Sequence, residues 1–194
     1  MFFLLSFFSC ILVLGVYLVN SAFARRFSKI HLKEVLRYIS AVMLLGVFAE
    51  VFIDSVYSKL FGAPLWIYQI LPIHNAYTSY YSLFIWGLYG FHLYLLHSAF
   101  ARKIHSVWIL AAIISVEAII LEILINLASL VFFGKYIFYY LPNDLWHVTS
   151  VQALPLYVLA SFLIARLIKD ERSDSWFYTM TNLYLVSVLV FLTS

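Results

Sequence analysis

Charge is scarce in this chain. Only 11% of its 194 residues are Asp, Glu, Lys or Arg, against about 25% in an ordinary soluble domain. That scarcity excludes a soluble enzyme, a disordered regulator and a nucleic-acid binder, all of which depend on a charged surface. Cysteine is nearly absent too. Cys10 stands alone, so an internal disulfide and a cysteine-based metal cluster are excluded, and Cys10 itself reads as a small apolar residue in a helix. Walker, GxGxxG and GxSxG motifs are missing, as are HExxH, HxxxH and clustered histidine boxes. No metal site is assigned and the cofactor stays unknown: a single axial histidine for haem leaves little signature, and the spacing of Asp144, His147 and His74 is weak evidence for zinc.

What remains is apolar. Hydrophobic residues make up 65% of the chain and aromatics 20%, and the mean hydropathy is +0.98. Crossing about 30 Å of hydrocarbon takes roughly 20 apolar residues in a helix. Runs of that kind occupy about 2–23, 38–61, 76–99, 107–133, 150–168 and 176–193. They predict an all-α integral membrane protein, a bundle of six transmembrane helices forming one domain over 1–194. The runs are continuously apolar rather than alternating, which argues against a β-barrel.

The twelve basic residues orient that bundle. Arg25, Arg26, Lys29, Lys33 and Arg37 follow the first run, Arg102 and Lys103 the third, and Arg166, Lys169 and Arg172 the fifth. Only Lys59 and Lys135 fall on the other side. The positive-inside rule then places both termini on the non-cytoplasmic side of a cell membrane. Ala22-Phe23-Ala24 looks like a signal-peptide cleavage site, but no basic residue precedes the apolar core, as a signal peptide requires. The first run is expected to stay as an anchor.

An internal repeat runs through the middle of the chain. Glu50, Asp54, Gly62, Trp66 and Tyr68 are matched, 72 residues on, by Glu122, Asn126, Gly134, Phe138 and Tyr140. Each segment then reaches Leu-Pro (71–72 and 141–142), a histidine (His74 and His147) and Thr-Ser (78–79 and 149–150). The runs involved point the same way across the membrane. The pattern therefore predicts a parallel repeat of helical hairpins, runs two and three against runs four and five.

The repeat selects the candidate site. An ionisable side chain at the centre of a membrane helix costs about 2.5–3.5 kcal/mol and usually faces the bundle interior or a water-filled cavity. Glu50 and Glu122 fall near the middle of their runs, and Asp54 and Asn126 lie one turn further along the same faces. Glu50, Glu122 and Asp54 are the candidate acid–base or proton sites. Glu117 projects ~140° away from Glu122 on the helix and is set aside. Candidate ligand contacts are Asn126, His92, Trp66, Tyr68, His74, Asp144, Trp146, His147 and Gln152, with Asp144 spaced to pair with His147. The simpler reading of the loop aromatics is an interfacial belt, and of His92 an interhelical hydrogen-bond donor. Pro155 is expected to kink the fifth helix.

These residues point first to a protein that binds or converts a lipid-soluble small molecule, isoprenoid- or acyl-like, in an intramembrane polar pocket. The alternatives are a small proton- or cation-coupled transporter and a non-catalytic subunit of a membrane complex. Membrane lipids and a second copy of the chain are compatible partners; nucleic acid is not.

Overall fold

The computed structural model describes residues 2–23, 27, 29–100, 104, 106–169, 179 and 181–187. The fold is mostly helical. Helix α1 spans Phe2–Phe23, α2 Leu32–Phe61, α3 Tyr80–Phe100, α4 Val107–Phe133 and α5 Leu154–Lys169; residues 181–187 are helical as well. Two of these, α2 and α4, are long and apolar enough to cross a membrane. Most of the sixth expected run, 176–193, lies outside the described residues, as do Arg25, Arg26, Arg102, Lys103 and Arg172.

Helices α2 and α4 end alike. Gly62 and Gly134 take left-handed conformations (φ 80° and 66°) and donate their N–H groups to Ser58 and Leu130 carbonyls at 2.9 Å. Glycine meets that backbone requirement without a Cβ clash. Each helix end turns the chain into a short extended segment, β1 at Trp66–Tyr68 and, after α4, β4 at Phe138–Tyr140. Between β1 and α3 lie two further short strands, β2 (Pro72–Ile73) and β3 (Thr78–Ser79).

Strands β1 and β4 pair antiparallel with Ile67 opposite Tyr139 at the centre. The pairing is symmetric about that point. Gln69 N–H donates to Ile137 O at 2.8 Å, and Leu141 N–H donates to Leu65 O at 3.0 Å. A 72-residue shift converts either bond into the other. The two hairpins, α2–α3 and α4–α5, pack internally, and α2 also touches α5.

Beyond the strands the correspondence changes by one residue. His74, Asn75 and Ala76 form a left-handed turn (φ 57°, 52°, 66°), matched by Leu145, Trp146 and His147 (φ 41°, 52°, 60°). Tyr77 N–H closes the first on His74 O, and Val148 N–H closes the second on Leu145 O. His147 therefore corresponds to Ala76, and the two loop histidines are not equivalent, contrary to the sequence expectation. The left-handed turn and β3 also occupy 76–79, so α3 starts at Tyr80 rather than at 76. Likewise Pro155 is the second residue of α5, not an interior one. Its missing N–H falls in the first turn, where no helical partner exists, so it starts the helix rather than kinking it.

The buried apolar side chains form two clusters. One joins Val35, Tyr38 and Val42 to Leu93, Tyr94, Leu110 and Ile164. The other surrounds the paired strands with Leu65, Tyr81, Ile137 and Tyr140. Close approach of α2 and α3 depends on Gly90, where an added Cβ would stand 2.7 Å from Ile39 Cα and 2.8 Å from Tyr38 O. Both neighbours are backbone and cannot rotate away. Gly90→Ala is expected to lower stability by about 1–3 kcal/mol, read as a lowered thermal midpoint of the purified protein; an unchanged midpoint would contradict the helix contact.

Candidate functional site

Glu50 and Asp54 project from adjacent turns of α2 into the hairpin, and both are buried. Asp54 faces the loop that follows its own helix. Its Oδ1 accepts the N–H of Leu65 at 2.8 Å and of Trp66 at 3.3 Å. Asn126 does the same for the second hairpin, its Oδ1 accepting from Ile137 at 3.0 Å and Phe138 at 3.5 Å. Asn126 also donates through Nδ2 to Phe138 O at 2.7 Å and Val148 O at 3.0 Å. Buried backbone N–H groups need an acceptor, and these two side chains supply it at the start of each strand. One is an acid and the other an amide, so the shared task requires an acceptor oxygen and no charge. The structure thus gives Asp54 the role of a loop anchor through Oδ1.

With the loops held down, a tyrosine from each strand reaches back to a glutamate. Tyr68 donates its hydroxyl to Glu50 Oε1, and Tyr140 donates to Glu122 Oε2 at 3.1 Å. Burial, reinforced by the neighbouring glutamates, pushes both phenols well above the usual tyrosine range, so they remain neutral donors. The two carboxyl groups lie within electrostatic reach of each other.

The halves differ in what else surrounds the carboxyl. Glu50 Oε1 also accepts Trp86 Nε1–H at 2.9 Å, while Oε2 accepts the hydroxyls of Thr78 at 2.5 Å and Ser82 at 2.6 Å. Four donors fill the lone-pair positions of that carboxylate, and the residue is only 5% exposed. Thr78 is visible in the sequence only as half of the repeated Thr-Ser pair, and Ser82 and Trp86 carry no such mark. Ser82 and Trp86 lie four apart on one face of α3, and Thr78, four residues before Ser82, lies in β3. Glu122 is half-buried; the hydroxyl of Thr149, half of the second Thr-Ser pair of the repeat, lies beside it.

The remaining candidates scatter around this centre. Trp66 is buried and donates Nε1–H to Tyr77 O at 3.0 Å, with its ring 5.8 Å from that of Tyr140. Gln152 accepts the hydroxyl of Tyr57 and ties α2 to the second hairpin. Asp144 does not pair with His147. Its Oδ2 accepts Ser150 Oγ–H at 3.1 Å and Val151 N–H at 3.0 Å, an N-terminal cap for the turn leading into α5. His147 instead places Nδ1 2.6 Å from Tyr140 O and stacks on Tyr139 with centroids 4.3 Å apart. Trp146 is 81% exposed, and His74 sits in the left-handed turn of the first loop.

His92 belongs to a separate contact. Its Nε2 lies 2.7 Å from Glu117 Oε1, joining α3 to α4, and its ring stacks against Tyr89. The interhelical reading of His92 is the one the structure favours, and Glu117 is the partner that the sequence left unassigned. Among the described residues no group of three or more His, Cys, Asp or Glu side chains is arranged to hold a metal ion.

The anchor role yields a direct test. Asp54→Asn keeps the acceptor oxygen and is expected to leave thermal stability within about 0.5 kcal/mol. Asp54→Ala strands two buried N–H groups and is expected to cost about 1–3 kcal/mol. Equal losses in both variants, measured by thermal unfolding, would mean that the charge matters and the anchor account is wrong. No protein family, characterised protein or solved structure matches this chain.

Proposed function

We propose that the chain is a six-span membrane protein, built on a parallel repeat of two helical hairpins. In this reading it binds or converts a lipid-soluble small molecule, isoprenoid- or acyl-like, at the Glu50–Glu122 pair. The observation that carries the reading is the repeated Glu–Tyr contact. Two carboxyl groups occupy the same place in two hairpins, each takes a tyrosine hydroxyl 18 residues on, and both lie beside the β1–β4 pair. Packing alone does not call for two such carboxyls, because burying them is costly unless they are fully paired.

The outer faces of α2 and α4 carry Phe48, Phe52, Val56, Ile113, Val116, Ile120 and Leu124, all exposed. Apolar surface of that extent suits lipid contact and an apolar ligand arriving from the bilayer. With ten of twelve basic residues on one side, both termini are non-cytoplasmic in a cell membrane. A carboxyl beside a neutral phenol offers general acid–base chemistry to such a ligand. The matched carboxyls of the two hairpins also favour a second reading, a small proton- or cation-coupled carrier.

Native mass spectrometry of the gently purified protein tests the first reading. A discrete small-molecule adduct is expected on the wild type, with occupancy falling on the order of tenfold in Glu122→Gln, the loss of one charge-assisted hydrogen bond. A bare wild-type mass would overturn ligand binding. The carrier reading would then be examined by proteoliposome flux, which must follow the pH gradient and be lost in the same variant.

A further inference from the structure

The two halves of the carboxyl pair are built on one plan but completed differently, and the difference has a chemical direction. The correspondence between them runs through the first turn of the following helix. Ser79 Oγ accepts Tyr81 N–H at 2.9 Å, and Ser150 Oγ accepts Gln152 N–H at 3.2 Å. Thr149 therefore stands where Thr78 does, Ala153 where Ser82 does, and Tyr157 where Trp86 does. Ser82 and Ala153 are each only 1% exposed, so the equivalence holds for burial as well as for register.

The consequence falls on Glu122. In the first half, Ser82 and Trp86 each give Glu50 a hydrogen bond. In the second, the methyl group of Ala153 has no proton to give. Glu122 Oε1 is buried without a hydrogen-bond partner among the described residues, and so is the hydroxyl oxygen of Thr149, a residue 1% exposed. The Thr149 hydroxyl faces the Glu122 carboxyl without a well-formed hydrogen bond, and a buried acceptor and hydroxyl left in that state are costly and rarely kept without an occupant. Glu50 is sealed, whereas Glu122 is half-buried.

We infer that Glu122 and Thr149 receive the head of the ligand, and that this head is a neutral hydroxyl: a lipid-soluble alcohol. The inference rests on the reading proposed above and names its chemistry. A hydroxyl donates its proton to Glu122 Oε1 and accepts the proton of Thr149 through its own oxygen. It thereby supplies what Ser82 supplies to Glu50. A hydrocarbon offers neither half of that exchange, and an ether offers only the acceptor. An anionic head group would meet the carboxyl as a like charge, and an ammonium has no lone pair with which to accept the proton of Thr149. Glu50, with its four internal donors, is the fixed half of the pair, and Glu122 is the half that meets the ligand's head.

The test uses the full-length protein with hexadecanol and its methyl ether as probes, and native mass spectrometry as the readout. Wild-type protein is expected to retain hexadecanol on the order of tenfold better than the ether. Ala153→Ser restores the donor that Ser82 provides and is expected to abolish that preference while leaving the thermal midpoint unchanged. If Ala153→Ser does not fold, Thr149→Val serves instead, with the preference again expected to fall severalfold. Equal retention of alcohol and ether by the wild type, or a preference untouched by the substitution, overturns the hydroxyl assignment and leaves a lipid-binding protein. Retention of neither probe overturns the assignment and the proposed function together.

Discussion

Two short side chains, Asp54 and Asn126, hold the ends of the two hairpins in place by accepting pairs of backbone N–H groups eleven and twelve residues further on. Everything at the candidate site hangs on that contact. A loop tucked against apolar helices must satisfy its backbone from within, because neither lipid nor packed side chains offer partners. With the first residues of each loop fixed, the strands β1 and β4 meet along a symmetric register. The same placement turns Tyr68 and Tyr140 back onto the glutamates one helical turn above the anchors. Acceptor oxygens and two left-handed glycines position the site.

The symmetry is in the scaffold, and the chemistry is in its breaking. Around Glu50 the chain has supplied a complete set of donors, and such a carboxylate is a structural fixture. Around Glu122 the corresponding positions carry Ala153 and Tyr157, and one carboxyl oxygen is left open. A repeat in which both sites were complete would be a packing motif, and one in which both were open would be poorly held. In the proposed reading, one closed and one open site give a rigid frame with a place for a ligand group, which is what preorganised binding requires.

Much of this was legible in the residues themselves. The 72-residue repeat is visible because helix end, strand and glutamate keep their spacing on both sides of Gly62 and Gly134. The bounds of α1 and α4 follow directly from their apolar runs. The loops were harder. Three consecutive left-handed residues in each are His-Asn-Ala in one case and Leu-Trp-His in the other, with no glycine to mark them. The step from 72 to 71 therefore stayed hidden, and His74 was matched to His147. Asp144 looked like a partner for His147 because the two are three apart, yet its carboxylate caps the next turn. Ser82 and Trp86 escaped notice because a lone serine or tryptophan in an apolar helix carries no signal until its partner is known.

The account stands or falls on the two hairpins facing each other across β1 and β4. Ile67 and Tyr139 are directly opposed at the centre of that pair, where Cα atoms lie roughly 4.5–5.5 Å apart, within the range a disulfide bridges. The direct measurement is oxidation of Ile67→Cys/Tyr139→Cys in a Cys10→Ser background, with the linkage identified by peptide mass. Efficient intramolecular cross-linking, with displaced pairs such as Ile67→Cys/Phe138→Cys linking far less, is the predicted result. Cross-linking that is absent, or equal in the displaced pair, would contradict the symmetric pairing on which the two-glutamate site depends.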